Sequence, residues 1–154
     1  MNPEIPQFGV GDASFQAAGG ESGIRALVGD FYDIMATDER FKTIISMHPT
    51  NRELSIEKLT LFLCGWLGGP RLFKPKYGSI SIPLVHDHLP ITQAEHDQWL
   101  QCMYAAIGRQ TYSLEFGEYL IRQLAVPAAS VLRRTQEKHA TQLPSIPSTI
   151  TAHQ

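Results

Sequence analysis

The stretch "KLTLFLCGWLGGP", residues 58–70, decides the fold class, because it joins a helical apolar pattern to an abrupt stop. Its apolar side chains recur at spacings of three and four residues, as on one face of an α-helix. Upstream, Asn51 is a suitable N-cap for the same helix. Gly68, Gly69 and Pro70 form a stop signal. The sequence therefore predicts a helix that begins after Asn51 and ends before Gly68.

Three further stretches carry the same helical pattern, at residues 19–36, 92–110 and 114–140. Thr92, followed three residues later by Glu95, is the signature of a capping box. Pro127 lies inside the last stretch and predicts a kink or a break there. Residues 78–85, "GSISIPLV", alternate only briefly, so we expect an extended loop that enters a short helical turn around residues 84–88. The class is all-α, with four main helices and a long middle connection.

Length and composition limit the possible functions. The 154 residues suit one domain, and the formal net charge of −2 gives no electrostatic footprint for nucleic acid or an anionic membrane. Cys64 and Cys102 lie far apart in apolar helical contexts, which predicts buried free thiols. No signal peptide or stretch of ~20 apolar residues is evident, which favours the cytoplasm. We expect a flexible extension (1–11), a folded domain (12–140) and a disordered tail (141–154).

Three histidines are the candidates for chemistry: His48, His86 and His88. Cys/His spacing typical of structural zinc is missing, and so is a nucleophile on a sharp turn. A single imidazole beside an apolar groove suits the axial ligand of a haem iron. The alternative, a helical bundle with incidental histidines, stays open on this evidence.

The whole pattern resembles the group II truncated haemoglobins, small globins with a two-over-two helical sandwich around haem. The resemblance covers about residues 12–136. It implies haem b as cofactor and O2, NO, CO or peroxide as ligands. The motifs that carry it are Gly19-Gly20, "FYDIMAT" (31–37), "SMHP" (46–49), residues 58–70 with Tyr77-Gly78 downstream, and His86 through "EHDQWLQCM" (95–103).

The resemblance also implies the iron ligand. In the family the ligand histidine stands thirteen residues before a tryptophan, and counting back from Trp99 reaches His86 without a gap. An alternative register uses "HLP" (88–90) and selects His88, but it needs a two-residue deletion. We prefer His86, because the deletion would shorten the turn that starts the next helix.

The remaining site residues follow from the same resemblance. Tyr32, Trp99 and His48 are expected to meet the bound ligand, although the residues alone also allow a core tyrosine and a surface histidine. Lys58 is expected at a haem propionate, with a solvated lysine as the alternative. The other residues expected to face or wall the haem are Phe31, Ser55, Leu59, Phe62, Leu63, Tyr77 and Met103.

One departure from the family pattern lies before the ligand histidine. Relatives commonly carry arginines there that hold the propionates, whereas residues 79–85, "SISIPLV", are uncharged. We therefore expect weaker or rearranged propionate anchoring.

The expected function is redox chemistry on O2, NO or peroxide, as a NO dioxygenase or a weak peroxidase. An unknown reductase would supply the electrons, and the protein is expected to be a monomer or a weak homodimer. The alternatives are a haem-based sensor, a haem-free interaction module, and an electron carrier with two protein ligands on the iron.

Overall fold

The computed structural model describes residues 7–78, 89 and 91–142, with side chains as far as residue 138. Across these residues all regular structure is helical, so the all-α prediction is confirmed. A short 3₁₀ turn (Glu39–Phe41) precedes the third helix. The helices are α1 (Ala13–Ala17), α2 (Gly20–Thr37), α3 (Lys42–Ser46), α4 (Arg52–Trp66), α5 (Phe73–Tyr77), α6 (Gln93–Gly108) and α7 (Leu114–Gln142).

Both ends of α4 lie where the sequence predicts them. The side-chain oxygen of Asn51 accepts a hydrogen bond from the backbone N–H of Leu54 at 3.1 Å. At the other end, Gly68 has φ +93°, and a Cβ there would lie 2.1 Å from the carbonyl oxygen of Gly11. A Cβ at Gly69 would lie 2.4 Å from the ring of Phe15 in α1. The glycine pair therefore ends α4 and lets α1 pack closely against its end.

The capping box that begins α6 is confirmed. The carboxylate of Glu95 accepts from the backbone N–H of Thr92 at 2.7 Å and from its hydroxyl at 2.5 Å. Of the kink or break predicted at Pro127, the break is wrong, because α7 runs through it as one helix, and the kink stays a prediction. Pro127 removes a helical partner from the carbonyl of Gln123, but Gln123 is exposed, so water can hydrogen-bond that carbonyl.

The main helices pack as two pairs. Helix α2 packs against α4, α6 packs against α7, and the two pairs meet where α2 contacts α6. No described helix has both the length and the apolar character to cross a membrane. Both cysteines are buried and unpaired, as predicted. The largest fully buried side chains include Ile24, Leu27, Phe31, Met35, Phe41, Met103, Phe116 and Leu120.

Candidate functional site

Tyr32 places a phenol in the interior, on the side of α2 that packs against α4. Its side chain is only 6% exposed. Burial raises the pKa of Tyr32 to about 12, and a hydrogen bond with the hydroxyl of Ser55 on α4 opposes that rise. The phenol therefore keeps its proton throughout the neutral range. It is a hydrogen-bond donor held in low dielectric, where a polar interaction is stronger than in water.

His48 lies next to Tyr32, at the end of α3. Its Nδ1 lies 2.8 Å from the carbonyl oxygen of Ile44. Because a carbonyl only accepts, Nδ1 carries the proton and Nε2 of the neutral ring is an acceptor. The rings of His48 and Tyr32 meet edge-to-face, with centroids 5.4 Å apart and planes at 88°. His48 is half-buried rather than a surface residue, and the structure brings it together with Tyr32.

Trp99 reaches the same region from α6. Its ring centroid lies 5.3 Å from that of Phe31, which in turn lies 5.3 Å from Tyr32. Phe31 is fixed by a contact that the sequence analysis did not include: the buried thiol of Cys102 donates to the Phe31 carbonyl at 3.3 Å. Burial raises the pKa of the Cys102 thiol to about 12, so it stays protonated. Tyr32, His48 and Trp99 are thus connected through aromatic contacts.

The residues expected to wall a haem fall into two groups. Phe31, Leu63 and Met103 are buried within the core. Leu59, Phe62 and Trp99 are only partly buried, although they pack against that core. On α4, Ser55, Leu59 and Phe62 follow at spacings of four and three residues, so they share one face. Residual apolar surface of this kind is what packs against a flat apolar group such as a porphyrin.

A cleft lined by both apolar and polar side chains leads from the surface to Tyr32. It has a volume of about 260 Å³ and lies between α3 and the beginning of α4. Its size suits a ligand of a few atoms together with water. The lining residues are Tyr32, Ile45, Ser46, His48, Pro49, Thr50 and Arg52.

Lys58 and Tyr77 meet in a second polar cluster, on the outer side of α4 and α5. The phenol of Tyr77 and the ammonium of Lys76 each donate to one carboxylate oxygen of Glu57, both at 2.5 Å. These two hydrogen bonds hold the pKa of the Glu57 carboxyl below its usual value. The ammonium of Lys58 lies 5.3 Å from the centre of the Tyr77 ring, within cation–π range. The sequence analysis included Lys58 and Tyr77 but not Glu57, because no local pattern links residues twenty positions apart.

The expected iron ligand, His86, and its alternative, His88, lie outside the described residues, as does the helical turn expected around residues 84–88. The structure does describe both sides of that segment. Upstream, Tyr77 is hydrogen-bonded to Glu57 on α4. Downstream, the Thr135 hydroxyl on α7 lies 3.3 Å from the carbonyl oxygen of Ile91 and 3.0 Å from that of Leu132 in its own helix, so its one proton is shared between them or goes to the nearer.

Comparison with known proteins places this chain in a family. Residues 13–131 match the bacterial-like globin family. The chain is 30% identical over 125 residues to group 2 truncated hemoglobin YjbI of Bacillus subtilis (strain 168), covering 81% of this chain and 92% of that protein. It is a group II truncated haemoglobin. Haem-based binding of small ligands such as O2 follows from membership of this globin family.

Solved structures agree with the assignment of this truncated globin. The cold-adapted truncated hemoglobin of the Antarctic bacterium Pseudoalteromonas haloplanktis TAC125 superposes with a TM-score of 0.74 at 34% identity, over 77% of this chain and 96% of that one. The group II 2-on-2 hemoglobin of Agrobacterium tumefaciens gives 0.73 at 27% identity, over 85% and 97%. The two helix pairs of the truncated globin are therefore the predicted two-over-two sandwich.

Proposed function

We propose that this truncated globin binds haem b through His86 and uses it for redox chemistry on O2, NO or peroxide. The observation that carries the proposal is the buried Tyr32 phenol, protonated and hydrogen-bonded to Ser55. A strong donor beside a bound ligand slows release, which suits chemistry better than oxygen delivery. The buried free thiols agree with a reducing compartment such as the cytoplasm.

When bound, haem supplies the iron at which O2, NO or peroxide is held and reduced or oxidised. Tyr32 holds a proton at its phenol oxygen for a ligand with negative character. The hydrogen bond with Ser55 lowers the phenol pKa, as a bond donated by Ser55 to the phenol oxygen would, and in that direction it leaves the phenol proton available. Trp99 contributes an indole N–H, which only donates, and His48 packs against the phenol ring and limits its movement. The partly buried faces of Leu59 and Phe62 exclude water from the porphyrin.

Propionate anchoring is proposed to depend on the cluster around Tyr77. The family's basic segment is uncharged here, whereas Lys58 lies exposed on α4 and packs against the Tyr77 ring. A flexible ammonium so placed can pair with a carboxylate, although a solvent-exposed pair contributes little energy. We therefore propose Lys58 and Tyr77 as propionate contacts and expect haem to be lost faster than in relatives that carry the arginines.

Absorption spectra of the protein reconstituted with haem test the proposal. We expect a Soret band in the wild type, a changed band and rapid haem loss in His86→Ala, and little change in His88→Ala. His96→Ala is the matched control, because His96 lies on α6 and is paired with Asp97 at 2.9 Å. A colourless protein in the presence of excess haem would refute the proposal, and an unaltered spectrum in His86→Ala would refute the ligand assignment.

A haem-free interaction module is the second candidate. The uncharged segment 79–85 is the observation that favours it, because propionates lack their usual partners there. The same spectra decide between the two functions. If haem binds, ferric spectra at several pH values separate a gas-binding site from an iron with two protein ligands, in which His48 or Tyr32 would itself coordinate the metal.

A further inference from the structure

We propose that α4 and α5 present a docking surface for a small electron-transfer protein with an acidic face, and that one electron enters there. The proposal rests on haem binding, since the electron's destination is ferric iron. The donor loses one electron and the iron gains it, with no proton transfer required. We call the docking site the basic surface; it consists of Lys58, Arg71, Lys74 and Lys76.

The charge of the basic surface opposes that of the whole chain. Four of the 13 lysines and arginines lie on α4, on α5 or in the turn between them, in a protein of net charge −2, and one of these four, Lys76, bonds a carboxylate, that of Glu57. Lys76 pairs with that carboxylate, yet its side chain stays 56% exposed. The other three are exposed; Arg71 and Lys74 pair with no carboxylate among the described residues, whereas Lys58 is the proposed partner of a propionate once haem is bound. The neighbouring Glu21 and Arg25 pair with each other, so their opposite charges cancel.

Packing positions three of these four cations. Arg71 packs directly on α4, since a Cβ at Gly65 would lie only 3.3 Å from its Cα. Lys58 and Lys76 lie over the ring of Tyr77, with their ammonium groups 5.3 and 5.7 Å from its centre. Lys74 is placed beside them by its position on α5 and is exposed.

A row of aromatic rings leads inward from the basic surface. The centroid of Tyr77 lies 5.1 Å from that of Phe73, which lies 6.0 Å from that of Phe62. Phe62 shares its face of α4 with Ser55, the hydrogen-bond partner of Tyr32. Electron tunnelling falls steeply with distance, so rings in near contact form a favourable route. This route distinguishes the patch from a merely solvated group of charges.

The size of the basic surface fits a transient protein partner. Four cations are few for nucleic acid, whose binding depends on many phosphate contacts, and the net negative charge of the chain repels an extended polyanion. A small acidic protein meets only the local field. Complementary charge then raises the association rate and orients the partner, while fast dissociation permits turnover.

Reduction kinetics test the sign of the local field. The ferric protein is reduced in stopped-flow by dithionite, an anion, and by the methyl viologen radical cation, over a range of ionic strength. We expect added salt to lower the rate of reduction by the anion and to raise the rate of reduction by the cation. The net charge of −2 predicts the reverse for both, and observing that reverse overturns the proposal.

Charge reversal locates the effect. In Arg71→Glu/Lys74→Glu we expect the dithionite rate at low salt to fall about tenfold, within the range known for electrostatic steering. Lys42→Glu/Arg122→Glu is the matched control, because it changes the net charge by the same amount at two exposed residues that lie on α3 and α7. Equal losses in both proteins would show that total charge, not the basic surface, controls the rate.

Binding provides a readout without turnover. Calorimetric titration of the ferric protein with oxidised flavodoxin, an acidic probe, should show an affinity that falls with salt and falls again in the double variant. Phe73→Leu should bind equally well but accept electrons from reduced flavodoxin more slowly. Undiminished binding in the double variant, or preferential binding to phosphatidylglycerol vesicles, overturns the proposal. Absence of a Soret band would instead indicate that haem binding itself has failed.

Discussion

Replacing Tyr32 with phenylalanine removes the one buried donor that points to ligand chemistry. The substitution keeps the ring, which packs at 5.3 Å from Phe31 and 5.4 Å from His48, so the pocket should keep its shape. A hydrogen bond to a group with charge contributes roughly 1.5–3 kcal/mol. Since 1.36 kcal/mol corresponds to a factor of ten in a rate, O2 dissociation should accelerate about ten- to 150-fold.

The assay is stopped-flow displacement of O2 by CO from the ferrous protein. In the wild type the rate should not change between pH 6 and pH 9, because the pKa of Tyr32, about 12, lies above its ordinary value of 10 and the phenol stays protonated. Folding should be little affected, since Ser55 is half-buried and water can replace its partner.

Tyr112→Phe is the matched control for this experiment. Burial also raises the pKa of Tyr112 to about 12, and its phenol donates to the carbonyl of Ala18 at 3.3 Å, away from the cleft. Its loss should leave O2 dissociation unchanged. An unchanged rate in Tyr32→Phe, or an equal acceleration in both variants, would remove Tyr32 from the mechanism.

Three further predictions concern stability and reactivity. Gly69→Ala should lower the free energy of unfolding in urea by about 2 kcal/mol, because its Cβ would overlap the Phe15 ring, whereas Gly29→Ala, with open space around it, should not lower it. Thr60→Val should not destabilise the protein and should raise its melting temperature, since the buried Thr60 hydroxyl has no partner among the described residues; a clear loss would reveal a missed hydrogen bond. Cys102 should resist iodoacetamide at pH 8 until the protein unfolds, because burial raises its thiol pKa to about 12, and rapid labelling of the native state would contradict that.

Local sequence signals predicted the helices well. The cap at Asn51, the capping box at Thr92 and the stop at Gly68 depend on residues within four positions of one another, so the sequence contains all the information they need. Pro127 shows the limit of this reasoning. A proline raises the local cost of a helix, but the tertiary packing of α7 decides whether the helix continues.

The site was predicted chiefly through the family resemblance. Position along the helices alone left a core tyrosine and a surface histidine open as alternatives for Tyr32 and His48; the structure shows that the two rings are in contact, and their roles toward a ligand stay predictions. The thiol of Cys102 on the Phe31 carbonyl and the pairing of Glu57 with Tyr77 join residues 71 and 20 positions apart. No spacing rule reaches that far, because such contacts depend on how the helices pack. The choice between His86 and His88 stays a prediction.

The contact between Thr135 and Ile91 bears on how far the final helix must extend. Together with the Tyr77–Glu57 contact, it fastens both ends of the stretch that carries the two candidate ligands, one end to α4 and the other to α7. A loop with anchored ends loses less conformational entropy when a group within it is captured than a loop with free ends. If the iron ligand lies between these two contacts, as proposed, haem affinity should fall when the final helix is cut back before Thr135, although no residue of the pocket is changed.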